Sequence, residues 1–306
     1  MSNFASLKKS SADISRLSKE IEKLNSPNTS EKNEDERFWK PTLDKAGNGM
    51  AVFRFLPAPA VDGDDALPWI RYFDHGFKGP TGKWFIENSL TSLGQKDPVS
   101  EFNSQLWNAS SDENSWQRKQ AREQKRRLHY VANIYVVKDP SNPANEGKVF
   151  LYKFGKKIFD KLTSAMNPEY EGDKPLNPFD FWSGANFKLR SKMVAGYVNY
   201  DTSSFDTPGA LLDDDAQLEK IWKSEYSLKE VLDPKNFKSY DELKRKLEDV
   251  LGATLGNAEA SSTVEQAAVS SKPSFEPAKP RKSAADDVPF DTEDEDLNYF
   301  KGLADE

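Results

Sequence analysis

Between residues 115 and 157 the chain carries eleven Lys and Arg against three acids, with Trp116, Tyr130, Tyr135, Phe150, Tyr152 and Phe154 standing among them. Cations at this density neutralise a polyanion, and flat rings interleaved with them stack on unpaired bases. The chemistry these residue types can do is therefore noncovalent capture of a single-stranded nucleic acid. The cations that bear on it are Arg118, Lys119, Arg122, Lys125, Arg126 and Arg127, followed by Lys153, Lys156 and Lys157. A charge run is by default a solvated helix face. This one abuts a strand that starts at Tyr130 and continues just past the next strand, and aromatics alternate with it, which solubility alone does not require. A second strip lies in 187–195 (FKLRSKMVA), where Phe187, Leu189 and Met193 point one way and Lys188, Arg190 and Lys192 the other.

The opposite charge is collected at the far end. Residues 284–306 hold nine acids against Lys301, a net −8 in a chain whose total is −7, so the other 283 residues sum to +1. A pI near 5.2 averages over these two segments and hides both. Such a tail competes with nucleic acid for the basic groove or recruits partners. Val288, Phe290, Leu297, Tyr299, Phe300 and Leu303 mixed with its acids suit docking on other proteins.

Catalytic signals are poor. With no cysteine, thiolate nucleophiles, thiolate metal sites and disulfides are excluded. Neither of the two histidines, His75 and His129, belongs to an obvious acid or nucleophile motif in the sequence. Gly82-Lys83-Trp84 fails as a phosphate loop, because Trp84 stands where Ser or Thr is required, and Gly79-Pro80-Thr81-Gly82 reads as a hairpin turn. Asp213, Asp214 and Asp215 are the one carboxylate set that a metal-dependent nuclease could use; adjacent aspartates are more often charges at a helix start. No enzyme is expected. The alternatives carried forward are that nuclease, and a protein-interaction scaffold that binds no nucleic acid.

These residues need a scaffold. Residues 1–24 read as a basic arm leading into an amphipathic helix (Ile14, Leu17, Ile21, Leu24), 25–36 as a linker, 37–255 as the core, and 256–306 as an acidic tail too polar to build a core. Strands are expected at 50–56, 69–73, 83–87, 130–137, 148–154 and 187–195, with helices near 156–162, 214–231 and 239–251. Ser239 with Glu242 forms a capping box for the last helix, and Gly252 marks its stop. Short strands with helices added give an α+β class, and a small OB-type barrel is the natural member for binding single strands. No segment is apolar and long enough for a signal peptide or a membrane span, so a cytoplasmic protein is expected.

The stretches 43–57 (LDKAGNGMAVFRFLP), 75–87 (HGFKGPTGKWFIE), 132–139 (ANIYVVKD), 142–158 (NPANEGKVFLYKFGKKI), 184–187 (GANF) and 196–201 (GYVNYD) together resemble the single-stranded-DNA-binding, helix-destabilising proteins of T-even-type bacteriophages. The resemblance runs through nearly the whole chain in order. It implies an OB-fold core that binds single-stranded DNA without sequence preference, in replication, recombination and repair. It also implies cooperative self-association through the arm, carried by Lys8, Lys9, Ser10 and Ser11, and a tail that recruits replication and recombination proteins. The DNA-facing aromatics it implies are Tyr130, Tyr152, Tyr197 and Tyr200, with Trp84 and Phe154, and Trp107 and Trp116 in a loop before the basic run. The family prototype holds a zinc through one His and three Cys. His75 is kept here, while Ser89, Asp97 and Ser100 stand at the cysteine positions, so no cofactor is expected. Packing around Phe77, Trp84, Phe85 and Ile86 is expected to hold that region instead, with His75 in a hydrogen-bonded turn.

Overall fold

The computed structural model describes residues 35–170, 172–194 and 196–252. The arm with Lys8, Lys9, Ser10 and Ser11, most of the linker, and the acidic tail lie outside the described residues. The chain divides into two units, 1–38 and 39–306. In the first, Arg37 pairs with Asp35 at 2.7 Å.

The strands are β1 (Phe38–Trp39), β2 (Gly49–Phe55), β3 (Ile70–Lys78), β4 (Trp84–Asn88), β5 (Arg127–Lys138), β6 (Val149–Phe154), β7 (Phe187–Val194), β8 (Tyr197–Asn199) and β9 (Ser204–Phe205). The helices are α1 (Pro98–Asn108), α2 (Trp116–Glu123), α3 (Lys156–Met166), α4 (Asp215–Lys223) and α5 (Tyr240–Leu251). The class is α+β. An antiparallel sheet runs in the order β6-β5-β2-β7-β8, with β3 also pairing to β5 and carrying β4 beyond it. The path is open among the described residues: its end strands do not pair with each other. A register shift between Val52 and Phe53 of β2 skips Val137 on the partner strand and marks a bulge in β5, which bends that strand near its end.

Two large apolar cores result, with a smaller cluster at Leu56, Phe181 and Leu218. On the sheet, alternation turns Ala51, Phe53 and Phe55 of β2 and Phe187 and Leu189 of β7 inward onto Trp39, Tyr152 and Phe154. Their rings meet mainly edge-to-face at 5.1–5.6 Å, as between Phe53 and Tyr152 or Phe55 and Phe154. Such geometry adds about 0.5–1.5 kcal/mol per pair beyond the area buried. Arg54, on the opposite face of β2, is nearly fully buried and donates to the Asn186 side chain and to the Asp180 and Gly209 carbonyls, tying two loops to the strand.

The second core lies between the β3–β4 hairpin and helices α1, α2 and α5. Phe77 and Phe85 stack at 5.1 Å, facing Leu90, Val99, Phe102, Leu243 and Leu247. Helix α5 carries the expected caps: the Ser239–Glu242 box and Gly252 in the left-handed region at φ 69°. Gly79 in the hairpin turn lets it approach, since a β-carbon there would lie 2.2 Å from the Val250 carbonyl.

Three expectations are corrected. Trp107 and Trp116, expected in a loop before the basic run, lie on α1 and at the start of α2, helices begun by Asp97 and Ser115 as N-caps. The helix expected over 214–231 stops at Lys223, because the Asn133 amide pairs with both the N–H and the carbonyl of Tyr226 and holds that segment extended. On β7 the inward alternation ends at Ser191, and Met193 is exposed near the hairpin tip.

Candidate nucleic-acid interface

The β7 strip forms as its sequence demands. Lys188 and Arg190 alternate with buried Phe187, Leu189 and Ser191, and stand opposite Val52 and Met50 of β2. Lys192 faces Asn199 on β8. Lys188 pairs with Asp206 at 2.8 Å, whereas Arg190 and Lys192 form no ion pair among the described residues. Tyr197, at the same hairpin tip, is 66 % exposed.

On α2 the cations are organised by Trp107 and Glu113. The Arg118 guanidinium covers the Trp107 ring at 3.6 Å and its Nε donates to the Ser110 carbonyl at 2.7 Å. Arg122 pairs with Glu113. Lys119 is exposed and, among the described residues, forms no ion pair. Beyond α2, Arg126 lies over the Phe73 ring at 4.2 Å. Lys125 is half-buried beside it. Lys156 pairs with Asp160 at 2.7 Å and Lys157 with Asp201 at 3.3 Å, both on the rim of α3.

The predicted aromatics separate into two sets. Tyr197, Trp84 (47 % exposed) and Trp116 (37 %) present open faces. Tyr130, Tyr152, Phe154 and Tyr200 are at most 8 % exposed and belong to the sheet core. Tyr130 stacks on Phe159 of α3 at 3.9 Å, nearly parallel, and on Phe154 at 5.8 Å. A base meets no more than the edges of these four rings unless α3 shifts.

Arg71, which the sequence did not single out, sits exposed on β3 directly across from Tyr130. Only its place in an alternating strand could have signalled it.

Asp74 was missed as well. Buried on β3, its Oδ1 accepts from Arg127 Nε at 2.8 Å, and its Oδ2 lies 3.1 Å from Lys153 Nζ and 2.9 Å from His129 Nε2. Burial pushes this carboxyl up, but His129, Lys153 and Arg127 together outweigh it and hold it well below the ordinary carboxylate range.

The histidines therefore do have acids beside them, in space. His75 lies on β3 rather than in a turn, and is fully buried. Its Nδ1 meets the Gln124 carbonyl at 3.1 Å and its Nε2 lies 3.3 Å from Asp97. Asp97 also accepts from the Ser89 hydroxyl and from the Leu90, Val99 and Ser100 amides. Burial pushes Asp97 up, and His75 and these amides prevail, leaving it at about 2. The positions aligned with the family's zinc ligands thus do converge, on a carboxylate already engaged by a hydroxyl and three amides. Oxygen donors in three places of four do not fit a site that needs thiolates. Of the packing expected around them, Phe77 and Phe85 are buried, Ile86 is half-buried and Trp84 is exposed.

Of the acidic triplet, Asp214 caps α4 and Asp215 accepts from the Trp182 indole at 2.8 Å. Among the described residues no group of three His, Cys, Asp or Glu is placed to hold a metal ion.

Residues 47–251 match the family model described as gp32 DNA binding protein like. The chain belongs to this family. Two gp32-like relatives are the single-stranded DNA-binding protein of Enterobacteria phage T2, 41 % identical over 235 residues covering 74 % of each chain, and that of Enterobacteria phage T4, 40 % identical over 252 residues covering 80 % of each. These gp32-like proteins are named for binding DNA, not for an enzymatic reaction. No described helix is long and apolar enough to cross a membrane.

Proposed function

We propose that this protein binds single-stranded DNA without sequence preference and cooperatively, as a non-enzymatic component of phage DNA replication, recombination and repair in the host cytoplasm. The observation that carries the proposal is that every cation and aromatic of the candidate interface falls within the segment 47–251 that matches the DNA-binding family. In this reading Arg190, Lys192, Lys188, Lys119, Arg118, Arg122, Lys125, Arg126, Arg127, Lys153, Lys156 and Lys157 meet phosphates, and Arg71 joins them. Tyr197, Trp84 and Trp116 stack on bases from the start, while Tyr130, Tyr152, Phe154, Tyr200 and Trp107 offer edges or become available on binding. Duplex hides the stacking faces, so single strands are preferred and helices melt by mass action. The sheet is read as an OB-type barrel with helical additions, on the strength of its bulged β5, which pairs with β2, β3 and β6.

The arm, through Lys8, Lys9, Ser10 and Ser11, would dock on a neighbouring copy. The acidic tail would compete with DNA for the cations and recruit replication and recombination proteins. The lobe around His75 is read as holding together without zinc, through Asp97, Ser89 and the Phe77–Phe85 stack.

Displacement of labelled oligo-dT, followed by fluorescence anisotropy, tests the function. Unlabelled single-stranded DNA of mixed sequence is expected to compete as well as dT, with duplex and RNA of the same sequence weaker. Equal competition by duplex would overturn the reading.

A further inference from the structure

We infer that Asp74 is a resident counter-ion that cancels one of the positive charges that Arg127 and Lys153 bring toward DNA. The inference rests on the phosphate-binding role proposed above. The β3–β5 register places Asp74 opposite Arg127 and Tyr72 opposite His129, and the β5–β6 register places Lys153 opposite Val131. Alternation therefore sends Tyr72, Asp74, Arg127, His129 and Lys153 to one face of the three strands. There both cations close on one carboxylate, at 2.8 and 3.1 Å.

The arrangement is built rather than incidental. Asp74 is 6 % exposed, unlike the carboxylates at the surface pairs Lys156–Asp160 and Lys157–Asp201. Lys153 Nζ lies 5.4 Å above the Tyr72 ring, and the Arg127 guanidinium packs against Gly76 so closely that a β-carbon there would come within 2.3 Å of it. Surface pairs exchange a carboxylate for a phosphate at little cost, because each is worth only about 0–1 kcal/mol. A carboxylate enclosed by strand neighbours cannot be displaced in that way, so it stays when DNA arrives. The cluster therefore keeps one negative charge among its cations when DNA is bound. Asp74 is thus a positioning residue: it holds Arg127 and Lys153 together and sets the charge they present.

Asp74→Asn keeps the shape and removes the charge. The plot of log affinity for poly-dT against log salt is expected to become steeper by about 0.7, the increment for one more phosphate neutralised on a single strand. A purely structural role for Asp74 would lower melting temperature and leave that slope alone. If the loss of that anion prevents folding, the same step is read in a Lys153→Gln background, where Asp74→Asn removes the same negative charge and again steepens the slope by about 0.7. Asp74→Glu, which keeps the charge, is expected to hold the wild-type slope. An unchanged or shallower slope on Asp74→Asn in both backgrounds overturns the inference. Absence of salt-dependent binding in the wild-type protein would instead remove the DNA-binding reading itself.

Discussion

His75 Nε2 lies 3.3 Å from the Asp97 carboxylate, with both side chains almost wholly out of solvent. The pair links β3 to the start of α1, and the other ring nitrogen of His75 reaches the Gln124 carbonyl at the end of α2. It therefore fixes the point from which Lys125, Arg126 and Arg127 depart. Around this pair the Ser89 hydroxyl and the Leu90, Val99 and Ser100 amides complete the ring of donors to the Asp97 carboxylate.

Neutralising that carboxylate should loosen the lobe. Asp97→Asn leaves His75 facing an amide and weakens the α1 cap, and breaking a buried pair costs on the order of 3 kcal/mol. The fall in melting temperature is read by calorimetry. The folded-state pKa of Asp97 is depressed to about 2 from an ordinary 3.8, so its stabilisation is present above pH 4 or so and lost as pH drops through about 2. Asp97→Asn should accordingly flatten the acid limb of the stability curve. Chelator treatment should leave the wild-type melting temperature where it is; a drop on chelation would show that a metal holds this lobe.

Glu225 makes the opposite prediction at the other end of the pH scale. It is buried, neither carboxylate oxygen has a hydrogen-bond partner among the described residues, and burial, with Asp62 nearby, pushes it up to about 9. The unfolded chain releases this proton near 4.5 and the folded chain keeps it until about 9, so stability falls as pH rises between those values. Glu225→Gln should remove that fall, raising the melting temperature by several degrees at pH 8 and by little at pH 5. Identical gains at both would mean the carboxyl is ionised in the fold.

Exposure separates binding rings from core rings. Tyr197→Ala should weaken poly-dT binding by about 1–3 kcal/mol with an unchanged melting temperature, as expected for one lost base stack. Tyr152→Ala, in the sheet core, should cost on the order of 3 kcal/mol of stability instead. Wild-type affinity in Tyr197→Ala would remove that ring from the interface.

The same contrast shows what the sequence could reveal. Strands β5 and β6 and the caps of α5 were legible because their signals are local: an apolar run, a Ser three residues before a Glu, a Gly at the stop. Helices α1 and α2 carried similar marks (Asp97 before Pro98, and Val99, Phe102 and Leu106 at helical spacing) that the surrounding polar residues obscured. The interruption after α4 was not legible, since its cause is Asn133 on a distant strand. Nor were the His75–Asp97 and His129–Asp74 pairs, which only β3 and its neighbours bring together. Residue type placed Tyr130, Tyr152, Phe154 and Tyr200 beside the cations, but type alone does not tell a ring that faces solvent from one that fills the sheet.

The central claim is capture of single strands by stacking and phosphate contact, and titration of tryptophan fluorescence with poly-dT across a range of salt concentrations tests it most directly. Exposed Trp84 and Trp116 should be quenched on binding, and affinity should fall linearly in log–log form with a slope near −0.7 for each phosphate neutralised. Fluorescence unchanged by DNA, or binding insensitive to salt, would contradict it.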